Sequence, residues 1–323
     1  YPGITWCGQL EIIDIGFPVS YTNSDSVTVN LASKSLIKQE LSYQRKIDTH
    51  KYKEGHLLAV GGFDGMEGAI KLACKSALEA GVGLLTVVTT KEARKIIAGD
   101  PLEIMTQSIE SFLKNDKSES VKKLISFIND KRIKTLLIGP GMGRSEYAEN
   151  VFNIILEAAP LSTLDTIIID GDGLFHYANN KINHKNNIKE MILTPHLKEA
   201  SHLINKSIEV INGNRLKGAT SIALETNATV VLKGPASITT DSKETYINSS
   251  GNSSLAVAGS GDVLSGIISS MTLRIKNPLI ASAIGVFIHG YCADLLLAQK
   301  SNYSIKASDL ILEIRNAIKL CII

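Results

Sequence analysis

The chain has little of what would tie it to a disulfide framework, a membrane or a nucleic acid. Only four of its 323 residues are cysteine, namely Cys7, Cys74, Cys292 and Cys321. They lie too far apart for a zinc cluster or a disulfide scaffold, so a reducing cytoplasm is the expected setting. Aromatic residues make up 5% and the formal charge is +2. Lysine and arginine are scattered without aromatic interleaving, so no nucleic-acid surface is expected. No uninterrupted apolar run is long enough to span a bilayer and no charged-then-apolar leader opens the chain, so no membrane contact is expected. The P-loop pattern Gly-x-x-x-x-Gly-Lys-Ser/Thr is missing, as is the dinucleotide spacing Gly-x-Gly-x-x-Gly. The chain opens on Tyr1 rather than methionine and reads as a fragment or a processed chain.

What is present is an ordinary globular composition, 44% hydrophobic and 20% charged, enough for one large or two medium domains. From His56 onward, short β-branched runs alternate with helical patterns. The runs are Leu57 to Gly62, Leu84 to Thr90, Thr135 to Gly141, Thr166 to Gly173, Met191 to His196 and Thr229 to Gly234. Continuous apolar runs of this length predict strands buried on both faces of a parallel sheet. Helices are expected over Ala69 to Ala80, with Gly81 as its stop, and over Asp262 to Arg274, Leu279 to Gln299 and Ala307 to Leu320. The fold class is therefore α/β, a three-layer α/β/α sandwich around a mainly parallel sheet. Leu10 to Ile15 is a further candidate strand, followed by a Ser/Asn/Thr-rich linker.

Ligands of such sheets bind beyond the carboxyl ends of the strands. Gly61-Gly62, Gly139 to Gly143, Asp170 to Gly173, Thr194 to His196 and Lys233-Gly234 all follow predicted strands. One such turn is ordinarily a tight connection; five on one rim make a binding crevice the better reading. The stretch Leu255 to Ser270, LAVAGSGDVLSGIISS, adds a glycine-framed turn with an aspartate at the start of an apolar helix. Its glycines let consecutive N–H groups converge, and the helix start adds positive potential, which suits a phosphate. Asp262 is then either a helix cap or a base that takes a proton from a substrate hydroxyl. Both readings stand on the segment alone. His289, inside an apolar helix, reads as a packed core histidine.

The motifs GGFDGMEGA, AGVGLLTV, IGPGMG, IDGDGL, LTPHLKEASHL, VVLKGPAS, GNSSLAVAGSGDVLSG and FIHGYCAD, taken in order, resemble the NAD(P)H-hydrate dehydratases, members of the ribokinase-like fold. The resemblance covers Val27 to Cys321. It implies ADP- or ATP-dependent dehydration of the (S)-hydrate of NADH or NADPH, with Mg²⁺ at the nucleotide phosphates, and a homo-oligomer. His196 is similar to the ADP-using bacterial branch. The opening YPG…CG…DIGFP resembles the tail of an NAD(P)H-hydrate epimerase domain. Residues 1–25 are thus expected to be that tail plus a linker, and 26–323 the dehydratase domain, with epimerase activity in the same or a separate chain.

Residue by residue, the resemblance implies Asp262 as catalytic base and substrate contact, with Ala69, Gly143 and His196 as further substrate contacts. It implies nucleotide contacts at Lys233, Gly234, Pro235, Ala236, Ser237, Ser254, Ala258, Gly259, Ser260 and Gly261. Asp170, Asp172 and Glu199 would hold the metal through water. Two departures matter: the family pattern TPHPGE is here Thr194 to Glu199 with Leu197-Lys198, and TGGTGD is here Val257 to Asp262 with Ala258 in place of glycine. If position 258 requires a positive φ, alanine weakens nucleotide binding. A side chain at Gly259 is expected to clash with bound phosphate. The competing readings are a ribokinase-like kinase of the hydroxymethyl-pyrimidine, thiazole or pyridoxal type, and a nucleotide-binding module without turnover.

Overall fold

Strand after strand from residue 56 onward is buried along its whole length, and this organises the chain. The computed structural model describes residues 27–41, 48–180, 189–299 and 301–323, with five isolated residues before 27. The expected epimerase-like tail, including Cys7 and most of the strand placed at Leu10 to Ile15, lies outside the described residues. In chain order the elements are β1 (Val29–Ala32), α1 (Lys34–Leu41), β2 (His56–Val60), α2 (Glu67–Glu79), β3 (Leu84–Thr89), α3 (Lys91–Ile97), β4 (Met105–Ser108), α4 (Lys117–Asp130) and β5 (Thr135–Ile138). There follow α5 (Glu146–Ala158), β6 (Thr166–Ile169), α6 (Asp172–Asn179), β7 (Glu190–Leu193), α7 (Leu197–Ile204), α8 (Ile208–Gly213), α9 (Arg215–Thr226) and β8 (Thr229–Leu232). The chain ends with β9 (Ile238–Thr240), β10 (Thr245–Asn248), α10 (Ser260–Thr272), α11 (Pro278–Leu297) and α12 (Ala307–Ile322).

The ten strands form one sheet in the order β1-β10-β9-β8-β7-β6-β5-β2-β3-β4. All neighbours are parallel except β9, which runs antiparallel to both β8 and β10. The strand alternation divides the core between two layers. Leu58, Val60, Leu136, Ile138, Ile167 and Ile169 face the layer that holds α4 to α9. Leu57, Ala59, Leu137 and Ile168 face α2, α3, α10 and α11. The three-layer α/β/α expectation therefore holds, and the six predicted strands appear with the predicted parallel pairing. β1, β4, β9 and β10 are additional.

Gly81 closes α2 as expected: its φ is +100, and its N–H donates to Ala77 O at 3.1 Å. The sequence gives no uninterrupted apolar run of membrane length, yet α11 as a whole is apolar enough to cross one. An 18-residue stretch of it has a mean hydropathy of 1.7, but 78% of that stretch is buried inside the fold.

Candidate active site

Between β2 and β5 the strand order reverses, because β2 continues to β3 on one side while β5 lies on the other. The loops leaving these strands are laced together at that point. Gly62 N–H donates to Pro140 O and Phe63 N–H to Gly141 O, each at 2.8 Å. Glycine is obligatory at Gly139, where φ is +119 and a Cβ would lie 2.0 Å from Asp170 O. The ends of β2, β5 and β6 thus form one backbone floor at the rim where α/β sheets bind ligands.

The helices that start around this floor are left open. α3, α4, α5 and α8 are capped by the side chains of Thr90, Asp116, Ser145 and Ser207. α2, α6 and α10 begin at Met66, Gly171 and Gly259 with no side-chain cap. Their dipole ends, and those first N–H groups not already donating to a backbone carbonyl as Gly173 does to Asp170 O and Ser260 to Val257 O, are therefore available to an anion. They converge: a Cβ on Gly141 would lie 3.1 Å from Ala69 Cβ in the first turn of α2, and one on Gly259 would lie 2.4 Å from Leu72 Cδ1, one turn further along. Gly143 N–H donates to Asp172 Oδ2 at 2.9 Å at the start of α6.

Lys233 stands at the centre, just beyond β8. Its Nζ donates to Asp170 Oδ1 at 2.9 Å and lies 3.7 Å from Glu199 Oε2. A Cβ on Gly261 would lie 3.4 Å from the same Nζ, which brings α10 to the cluster. Asp170 is 2% exposed and also accepts from Thr194 Oγ1 at 2.7 Å. Burial pushes the Asp262 carboxyl up to about 7, aided by Asp170 and opposed by Lys233. Burial does the same to Glu199, also to about 7, with Lys233 opposing and Asp170 adding. Burial alone would lower the Lys233 ammonium, but Asp170, Glu199 and Asp262 outweigh it and hold it above its ordinary value. Two carboxyls poised near neutrality beside a fixed cation are suited to moving a proton.

The remaining sequence candidates fall around this centre. His196 caps α7: its Nδ1 accepts from the N–H groups of Lys198 and Glu199 at 3.1 and 3.3 Å, and its own N–H donates to Glu199 Oε2 at 2.8 Å. With Nδ1 an acceptor, the ring proton sits on Nε2, 3.4 Å from Glu199 Oε1. The Lys233 to Ser237 turn follows β8 and is backed by buried Arg215, whose guanidinium donates to Pro235 O and to Leu232 O.

Four details bear on the sequence reading. Ala258 does not have a positive φ, so its methyl carries no backbone strain, and the residue is exposed. Ser260 is 6% exposed; its hydroxyl turns inward to His289 Nε2 at 3.1 Å and its N–H donates to Val257 O at 3.3 Å. A side chain on Gly259, where φ is +85, would meet Leu72 and Ala307 rather than open space. Asp172 is engaged by Arg144 Nε at 2.9 Å as well as by Gly143. Among the described residues no group of three or more His, Cys, Asp or Glu side chains is arranged to hold a metal directly.

Sequence reasoning missed Arg144, which holds Asp172, and Arg215, which backs the Lys233 to Ser237 turn. His289 is buried as expected, but it is also bonded to the α10 start. The readable signal for His289 was a histidine inside an otherwise apolar helix.

The sheet order and the helices on both faces define the chain as a three-layer α/β protein, a fold it shares with a ribokinase-like superfamily protein of Enterococcus faecalis at a TM-score of 0.78 and 22% identity, covering 91% of this chain and 97% of that one. The family described as NAD(P)H-hydrate dehydratase matches residues 57–316, and the chain belongs to that family. It is 31% identical over 285 residues to the ADP-dependent (S)-NAD(P)H-hydrate dehydratase of Neisseria meningitidis, covering 87% of this chain and 90% of that protein. It is 31% identical over 312 residues to the bifunctional NAD(P)H-hydrate repair enzyme Nnr of Moorella thermoacetica, covering 96% of this chain but 58% of that protein. The chain thus spans somewhat over half the length of the bifunctional relative. The ADP/ATP-dependent NAD(P)H-hydrate dehydratase of Bacillus subtilis, co-crystallised with ATP and Mg²⁺, shares the fold with a TM-score of 0.78 at 24% identity, covering 92% of this chain and all of that one.

Proposed function

We propose that the chain dehydrates the (S)-hydrate of NADH or NADPH at the expense of ADP or ATP. The observation that carries this reading is the uncapped start of α10, where Asp262, with its carboxyl near 7, stands beside Lys233 on the ligand rim.

Hydroxide is a poor leaving group from C6 of the hydrated ring. The C6 hydroxyl oxygen attacks the terminal phosphorus of the nucleotide while Asp262 takes its proton, and the bond to the departing AMP or ADP breaks. The N–H groups at the α10 start and Lys233 stabilise the charge on the transferred phosphoryl group. The C6–O bond then breaks, phosphate leaves with the electron pair as the ring nitrogen pushes, and loss of the C5 proton restores the reduced ring. Ala69 and Gly143, small residues at the open starts of α2 and beside α6, leave room for the dinucleotide pyrophosphate. The nucleotide lies along Lys233 to Ser237 and the Ser254 to Gly261 segment. The hard oxygens of Asp170 and Glu199 suit a divalent cation carried by water; Mg²⁺ would supply charge neutralisation at the nucleotide phosphates. Asp172 instead orients Gly143 and Arg144.

Incubating the chain with hydrated NADH, Mg²⁺ and ADP or ATP tests this directly. The expected result is a return of the reduced ring's near-ultraviolet absorbance together with phosphate release. A stable phosphorylated product would place the chain among the kinases, and no turnover would make it a binding module.

A further inference from the structure

The motif FIHGYCAD lies on α11, which no step above uses. In so apolar a helix, with an 18-residue stretch of mean hydropathy 1.7 that is 78% buried, a histidine and an aspartate are costly unless bonded. Each is bonded, and to the same stretch of chain. Asp294 Oδ2 accepts from Gly251 N–H at 2.8 Å and its Oδ1 from Asn252 Nδ2 at 2.9 Å. Asn252 passes the contact on: its Oδ1 accepts from Ser254 N–H at 3.0 Å and from Ser254 Oγ at 2.6 Å. Two turns earlier, Phe287 O accepts from Ser250 Oγ at 2.8 Å. A Cβ on Gly290 would fall 2.3 Å from that same oxygen, so the helix and the loop touch backbone to backbone. His289 then reaches Ser260.

The stretch so held runs from Asn248, whose N–H donates to Ser237 O at 2.9 Å, to Ser260 at the start of α10. It joins the two halves of the nucleotide site. We propose that Asp294 is a positioning residue for the nucleotide: through Asn252 it sets Ser254 and, with His289 at the far end, fixes the distance between the Lys233–Ser237 turn and the α10 anion hole. The proposal rests on the nucleotide site given under Proposed function. A carboxylate accepting two N–H bonds is among the stronger contacts available, and it joins the Ser250 hydroxyl, bonded to Phe287 O, in tying this loop to α11.

The test is a direct titration with ADP, which needs no turnover, together with kcat and KM for the dehydration. Asp294→Ala should raise the ADP dissociation constant ~10-fold or more and raise KM for ADP more than it lowers kcat. Asp294→Asn, which keeps one acceptor, should recover most of the affinity. Asn252→Ala should produce a similar loss, and the double variant should lose little beyond either single one, since both cut the same link. Should Asp294→Ala fail to fold, the Asp294→Asn and Asn252→Ala pair carries the comparison. Unchanged ADP affinity in the folded single variants, or fully additive losses, overturns the positioning role alone. An unaltered chain that binds no ADP overturns the functional reading and this proposal with it.

Discussion

Replacing Asp262 with asparagine separates catalysis from stability in an unusual way. The side chain is nearly isosteric and the start of α10 keeps its open N–H groups, so nucleotide binding should be largely retained. Losing the base should lower turnover by ~10²–10⁴-fold. Stability should move the other way. The carboxyl rises from 3.8 to about 7 in the folded chain, which at about 1.4 kcal/mol per decade of proton affinity corresponds to ~4 kcal/mol. Attraction to the α10 dipole and coupled titration with Glu199 reduce the measurable part to ~2 kcal/mol. The sign follows from proton counts. Between about pH 4 and 7 the folded chain holds a proton that the unfolded chain has released, so stability falls as pH rises through this window. The asparagine variant lacks that fall. Urea unfolding at pH 4 and pH 8 should therefore show near-equal stability at pH 4 and a variant more stable by ~2 kcal/mol at pH 8. Near-normal turnover would remove Asp262 from the base role, and a pH-independent stability difference would refute the burial argument.

Three further substitutions probe the cluster and its surroundings. Lys233→Met leaves Asp170 buried without its cation and should cost ~3–5 kcal/mol; because Lys233 opposes the rise of both Asp262 and Glu199, the alkaline-going limb of kcat/KM should move to higher pH, and an unmoved limb would uncouple the lysine from the base. Gly261→Val places a branched side chain against Lys233 Nζ without requiring a positive φ, so a thermal melt should stay close to that of the unaltered chain while ADP affinity falls ~10-fold. Gly259→Val should instead lower the melting temperature, since its clash is with Leu72 and Ala307; a stable Gly259→Val chain would contradict the packing of α10 on α2.

The central strands were legible because burial on both faces writes a continuous apolar run, as in Thr166–Ile169 and Thr229–Leu232. β4, Met105–Ser108, carries no such run because it sits at the sheet edge and is only partly buried. β9 and β10 were hidden for another reason: they are a threonine-rich antiparallel pair, with Thr245 Oγ1 donating to Thr240 Oγ1 at 2.9 Å, so polar side chains satisfy one another where apolar ones would advertise a strand. The glycine turn at Gly259 marked Asp262 from local sequence alone. Nothing local marks Lys233 as the partner of Asp170, 63 positions away, nor Asp294 as the anchor of Asn252. Pair contacts of this kind exist only once the topology has closed.

On the proposed reading, with Asp262 as base and the nucleotide at the start of α10, the charge arrangement explains why the base is kept so near neutrality. Asp170, Asp172, Glu199 and Asp262 gather around one half-buried ammonium, with Arg144 bound to Asp172. Such an excess of carboxylates is tolerable only because Asp262 and Glu199 hold protons part of the time. A nucleotide arriving at the open start of α10 adds negative charge beside Asp262, and like charge raises proton affinity. The carboxylate therefore becomes a stronger base when the phosphoryl donor is in place, provided Lys233 keeps it ionised for part of the time. With the nucleotide absent, the same carboxyl is a weaker base and a hydrated ring bound alone has no phosphoryl group to receive. The cluster in this way links base strength to the presence of the donor through electrostatics alone, without requiring any movement of the backbone.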